Sequence, residues 1–207
     1  MTSATTTFTI TQNYVNNAGF ESSSGGWTTS TSGGSDARIQ SGDNIPPHSG
    51  NFAEIDTTSL STTGNAAASL KQTFTSAISI SSIPNTAGSF SLWVYNNGAQ
   101  GSNDYYSFQI TITASDGSQL IYYWGSSHAT PPTASGTVKV INMGNLPGIF
   151  TVGQWVQFTR NLSNDWTSNG LSSSATIASI VLQSNGYRQS SSVQYGQELF
   201  LDNVQIQ

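Results

Sequence analysis

The stretch "YYSFQITITASDGSQLIYYWG", Tyr105 to Gly125, decides the fold. Apolar and polar residues alternate from Tyr105 to Thr113, and a second run, Gln119 to Trp124, is almost wholly apolar. Between them Asp116-Gly117 is a pair that readily takes the positive φ of a tight hairpin turn. Period-two runs on both sides of such a turn describe two antiparallel strands. In the first, Tyr106, Phe108, Ile110 and Ile112 share one face, while Tyr105, Ser107, Gln109 and Thr111 share the other. In the second, Tyr122 and Trp124 share a face and Tyr123 takes the opposite one. One side suits a core and the other an open surface.

The same period runs through most of the chain. "FTITQNYV" (8–15), "SFSLWVYN" (89–96), "TVKVINMG" (137–144), "QWVQFTRNLS" (154–163), "TIASIVLQS" (176–184) and "ELFLDNVQIQ" (198–207) alternate or run apolar. They are rich in β-branched and aromatic residues and are bounded by Gly, Asn, Ser or Pro. "SNGY" (184–187) reads as a further turn. "SNDWTSNGLSS" (163–173) is the single helix-like segment, sufficient for a turn or two. Many short strands without intervening helices predict an all-β, antiparallel β-sandwich of jelly-roll type. No linker-like shift in composition divides the chain, so 1–207 reads as one domain, with 1–12 as an N-terminal arm strand.

Composition narrows the function. Only 7% of residues are charged, against 35% hydrophobic and 11% aromatic, and the net charge is −5. The five Lys and Arg are scattered, so no basic patch meets nucleic-acid phosphates or an anionic membrane. With no cysteine, disulfide frameworks and thiolate metal sites are excluded. No apolar run reaches the length of a membrane span. The Thr-rich start, "MTSATTTFTI", lacks the cationic and apolar regions of a signal peptide. The Ser/Thr/Asn/Gly-rich, weakly charged surface suggests a secreted, extracellular protein.

Three separate segments carry a family resemblance. "NNAGFESSSGGW" (16–27) sets Glu21 after a Gly-Phe pair, "PPHSGNFAEID" (46–56) is a turn feeding a strand, and "LFLDNVQI" (199–206) holds Asp202 in an apolar run. With "SLKQTF" (69–74), "FSLWVY" (90–95) and "GQWVQFTRNL" (153–162), their order resembles the galactose-binding-like β-sandwich carbohydrate-binding modules associated with xylanases and glucanases. The resemblance implies a structural Ca²⁺ where the first and last strands meet the turn. Glu21 and Asp202 would give side-chain oxygens, and Gly19, Ser49 and Phe52 backbone carbonyls. Such a set suits Ca²⁺, which takes six to eight hard oxygens. Without an ion, the two carboxylates are expected to accept hydrogen bonds from turn amides instead.

A sugar ring offers an apolar face to a Trp or Tyr ring and hydroxyls to amides and alcohols. In "SFSLWVYNN", Phe90, Leu92 and Val94 are expected to face the core, and Trp93 and Tyr95 the surface. A concave face made of Trp93, Tyr95, Tyr105, Gln109, Tyr122 and Trp124 would then cradle a polysaccharide. Trp27 and Trp155 are assigned to packing. The Gly/Pro/Ser-rich segment after Trp124 suggests a long rim loop holding His128. Low charge favours a neutral β-glucan, xylan or mannan over a uronate. A binding module of this kind is expected to be a monomer or to be attached to a larger enzyme.

Two other functions compete. Glu54 and Asp56 of "AEIDTTSL" resemble the first two acids of the E-x-D-x-x-E strand of jelly-roll glucanases, but the third acid is missing. Glycoside hydrolysis needs two carboxyls flanking one bond, and no nucleophile elbow or zinc motif is present. A lyase acting on an anionic polymer would want a basic cleft. No catalytic residue is therefore assigned. An extracellular filament or surface-layer subunit would suit the composition, with the N-terminal strand donated to a neighbour. Asn161-Leu162-Ser163 is a glycosylation sequon.

Overall fold

The computed structural model describes residues 12–22, 25–40, 50–100, 105–145, 150–190 and 193–207. Ser49 and residues 1–11 of the expected arm lie outside the described residues; residues 12–15 are not a strand. They run beside the chain's last strand all the same, Tyr14 N donating to Ile206 O at 2.8 Å.

The first strands are β1 (Trp27–Thr31), β2 (Asp36–Gln40), β3 (Phe52–Asp56), β4 (Gly64–Ser79) and β5 (Phe90–Gln100). The Tyr105–Gly125 hairpin gives β6 (Ser107–Ala114) and β7 (Gln119–Gly125), with Gly117 at φ 83° in its turn. After β8 (Val138–Gly144) and β9 (Trp155–Arg160) comes the short helix α1 (Leu162–Ser168). The long strands β10 (Thr176–Ser190) and β11 (Val193–Ile206) finish the chain.

Two sheets result, making an all-β sandwich of jelly-roll type. Sheet A runs β1-β4-β10-β6-β7-β8 and sheet B runs β2-β3-β11-β5-β9. The start of β11 pairs with the end of β10, Tyr187 opposite Tyr195, and ties the sheets together. Every pairing between these strands is antiparallel except β7–β8, which is parallel. That departs from the antiparallel expectation. The twelve residues between Gly125 and Val138 are enough for the crossover a parallel neighbour requires.

Alternation decides what is buried. Phe90, Leu92 and Val94 point inward from sheet B, and Tyr106, Phe108, Ile110 and Ile112 point inward from sheet A. Across the interface Phe90 stacks on Tyr122 at 5.9 Å between ring centroids, and Phe158 meets Trp124 edge-on at 4.9 Å. Each such ring contributes about 1.5–3 kcal/mol by leaving water.

"SNGY" is not a turn. Ser184–Tyr187 lies inside β10, paired on one side with Ala68–Asn65 of β4 and, at Ser184 and Asn185, on the other side with β6. Gly186 serves a close approach there: a Cβ would fall 2.7 Å from Tyr195 O and 2.9 Å from Thr57 Cβ. The helix-like segment does give two turns, capped by Asn161, whose side chain accepts from Asn164 N at 3.1 Å. From α1, Asp165 takes two hydrogen bonds from Arg160 of β9 (both 2.7 Å) and one from the Tyr122 hydroxyl of β7 (2.9 Å). This buried polar knot joins helix to both sheets.

Candidate functional site

A trough of about 720 Å³ crosses the outer face of sheet A. Its floor comes from β4 (Asn65, Ala66, Ala67), β10 (Asn185, Gly186), β6 (Ser107, Gln109) and β7 (Tyr123). Small residues at the centre of the floor leave the depth. Side-chain amides supply its hydrogen-bonding groups: Gln183 donates to Asn185 Oδ1, and Asn185 Nδ2 to Ser107 Oγ at 3.1 Å. These contacts hold Asn185 in place.

One end of the trough is aromatic. Tyr105, 46% exposed just before β6, packs at 5.5–5.6 Å against Tyr187, Tyr195 and His128. His128, Thr130 and Pro132 come from the segment after β7, so the expected rim loop borders this cavity. None of the described lining residues carries a carboxylate, ammonium or guanidinium group. The two carboxyls of glycoside hydrolysis are therefore not found among them.

The structure divides the expected platform. Tyr105 and Gln109 line the trough. Tyr122 and Trp124 do not: both are fully buried, which corrects their assignment to the groove. In the hairpin Trp124 stands opposite Phe108 and Tyr122 opposite Ile110, so both follow the apolar face of β6 inward. Tyr123, opposite Gln109, is the outward residue. Trp93 and Tyr95 do point outward, but from β5 in sheet B, away from the trough. There Tyr95 is buried in a second aromatic cluster with Phe52 and Phe200, and Trp155 packs on it. Trp93 is half-buried beside it, opposite Asp202 of β11. Trp27 packs on Phe20 at 5.2 Å, and both are buried.

Near Trp93, the two chain ends and the turn before β3 come together. Asp202 is fully buried and Glu21 exposed. The point a Cβ would occupy on Gly19 lies 3.3 Å from Asn203 Oδ1 and 3.6 Å from both Asp202 Oδ1 and Glu21 Oε1. Three side-chain oxygens thus surround one small space. Asn203, with φ 48°, and Phe20, with φ 55°, beside these groups, take left-handed backbone. Backbone amides also reach the acids: Asn51 N donates to Glu21 Oε2 at 3.4 Å and Asn203 N, in β11, to Asp202 Oδ1 at 2.7 Å. Gly50, at φ 69°, lies directly against the Glu21 carboxylate, which a side chain there would displace. Phe52 opens β3 two residues further on. Among the described residues no three His, Cys, Asp or Glu cluster for a metal. The oxygen beyond the two acids belongs to an amide, a donor Ca²⁺ accepts. The donor set is all oxygen and fits that ion.

A separate carboxyl departs from ordinary behaviour. Glu54 faces outward on β3 yet is only 2% exposed, and Arg38 of β2 covers it at 2.9 Å. Burial pushes its pKa up to about 7, against the opposing pull of Arg38, with Glu198 and Asp36 adding to the rise. Asp56 is engaged with Thr58, accepting from its N at 2.6 Å and its hydroxyl at 2.7 Å. Both acids lie on sheet B.

No protein-family model and no curated protein matches the sequence. The fold is similar to a family 12 glycoside hydrolase, with TM-score 0.47 and 12% identity, covering 86% of this chain and 99% of that one. It is similar to a xylan-binding domain from CBM 22, with TM-score 0.40 and 12% identity over 93% of this chain and 92% of that one. An exo-β-agarase gives TM-score 0.44 and 12% identity over 94% of this chain. The chain spans only 25% of that agarase, and 21% of a bacteriophage CBA120 tailspike domain. At these identities the likeness is one of fold.

Proposed function

We propose that the protein is a secreted, noncatalytic carbohydrate-binding domain that takes a neutral polysaccharide chain, of β-glucan, xylan or mannan type, in the trough of sheet A. The observation that carries this reading is the pairing of an exposed aromatic end, Tyr105 with Tyr187, with lining amides, Asn185 held in place among them, and no Asp, Glu, Lys or Arg among the described lining residues. A pyranose face stacks on a Tyr ring, and its equatorial hydroxyls meet Gln109 and Asn185. A neutral lining favours an uncharged ligand, because a uronate carboxylate would lose hydration there without gaining a cation. Affinity electrophoresis in gels containing β-glucan, xylan, galactomannan or polygalacturonate tests it. Retardation by a neutral polymer, weakened in Tyr105→Ala and Gln109→Ala, is the expected result. Equal mobility in every gel would overturn the reading.

The same proposal includes a structural Ca²⁺ held by Glu21, Asp202 and Asn203, with backbone oxygens of the adjoining turns. Its support is the convergence of three oxygens beside Gly19. When bound, the ion would screen the two carboxylates from each other and fasten the N-terminal turn to β11.

A further inference from the structure

The trough contains a polar atom that the fold itself leaves unsatisfied. Tyr123 is 3% exposed, lines the trough, and its hydroxyl has no hydrogen-bond partner among the described residues. Its neighbour Ser107 lies near enough to favour the phenolate slightly, but no hydrogen bond of sound geometry joins them, and Ser107 Oγ already accepts from Asn185. Burial dominates and raises the phenol pKa, so the group stays neutral and keeps its O–H. The ring's position is built rather than incidental. It lies along the strand over Gly125, where a Cβ would sit 2.5 Å from the hydroxyl oxygen. Any larger residue at 125 would push Tyr123 away.

Buried hydroxyls are nearly always paired, since leaving one unpaired costs about 1–3 kcal/mol. Among the described residues two other buried polar atoms lack partners, Trp124 Nε1 and Gln197 Oε1, and neither belongs to a residue lining the trough. Among the described residues Tyr123 alone combines an unmet hydrogen-bonding group with a place in the lining of the trough.

We propose that Tyr123 is the specificity-determining residue of the trough, its hydroxyl being satisfied by a sugar hydroxyl that the bound chain brings between Gln109 and Ser107. The inference rests on the polysaccharide-binding reading and sharpens it. Stacking on Tyr105 tolerates any pyranose, whereas the Tyr123 hydroxyl rewards only a ligand with an alcohol at that position. It also predicts opposite signs for stability and binding. Removing the oxygen relieves an unsatisfied group in the free protein and removes a hydrogen bond from the complex.

The test compares wild type, Tyr123→Phe and Tyr105→Ala by calorimetric titration with cellohexaose, xylohexaose and mannohexaose, together with thermal unfolding of the ligand-free proteins. The expected result is that Tyr123→Phe unfolds at the wild-type temperature or above it and binds its best hexaose about 2- to 10-fold more weakly. A lowered unfolding temperature would mean that the hydroxyl serves the scaffold, and would overturn the inference. Weakened binding in Tyr105→Ala with unchanged affinity in Tyr123→Phe would overturn the inference and leave the trough as the binding site. Failure of all three hexaoses to bind wild type would overturn both.

Discussion

Glu54 gives the protein a stability that should decline as solution becomes neutral. Its carboxyl is covered by β-sheet and by Arg38, and its pKa rises from 4.5 to about 7. At 1.36 kcal/mol for each unit, the difference between folded and unfolded states is on the order of 3 kcal/mol. The sign follows from proton binding: between these two values the folded chain holds a proton that the unfolded chain has released, so stability falls as pH rises. The contribution is fully present below about 4.5 and lost as pH passes through about 7. Urea unfolding across that window measures it. Glu54→Gln cannot titrate, yet keeps an oxygen for Arg38, so its stability should decline less steeply than wild type by roughly that amount. The other titrating groups are common to both proteins and cancel in the comparison, apart from Glu198 and Asp36, which interact with the Glu54 charge. Arg38→Ala should shift the decline to higher pH, because the main interaction lowering the Glu54 pKa is gone. Parallel curves for wild type and Glu54→Gln would refute the reasoning.

Other expectations follow from the same geometry. If Glu21, Asp202 and Asn203 hold Ca²⁺, chelation should lower the unfolding temperature, by an amount equivalent to about 2.7 kcal/mol where the ion had been at a hundred times its Kd. Glu21→Ala and Asn203→Ala should each shrink that difference, and chelator-independent melting of wild type would remove the ion. Asp165→Ala should cost about 3–5 kcal/mol in urea unfolding, since it strands Arg160 and leaves the buried Tyr122 hydroxyl without its partner. A cost below 1 kcal/mol would show the knot to be incidental. Trp124→Ala should destabilise by about 3–5 kcal/mol, as truncation of a core aromatic does. Trp93→Ala, on the far sheet, should leave polysaccharide retardation unchanged; a loss there would move the binding site to sheet B.

The strands and their buried faces were legible in the sequence because alternation is local. Phe90, Leu92 and Val94 go inward as their spacing implies. What alternation does not encode is which sheet a strand joins, so Trp93 and Tyr105 both read as outward while facing away on different sheets. Tyr122 and Trp124 were ambiguous because "LIYYW" is apolar on both sides. The hairpin register does hold the answer: residues opposite Phe108 and Ile110 must share their face. Asn185 and Tyr187 were hidden by a Ser-Asn-Gly signal that normally marks a turn. In β10 two flanking strands override that local preference, and Gly186 answers a steric need instead. Asn203, whose backbone is left-handed, had no sequence signal.

The positions of β10 and β11 carry a consequence for how the protein is made. Each lies inside its sheet, β10 between β4 and β6 and β11 between β3 and β5, yet both follow all of these partners in sequence. On a ribosome, β1 to β9 therefore emerge as separated fragments, β1 with β4, β2 with β3, β5 with β9, and β6 with β7 and β8, without the pieces that join them. Neither sheet can close until the final hairpin is released, and until then several strand edges stand open to pairing with other chains. Native structure should appear in a single late step, once β10 and β11 have both emerged. Any lesion that removes the hairpin should cost the entire fold rather than one edge of it.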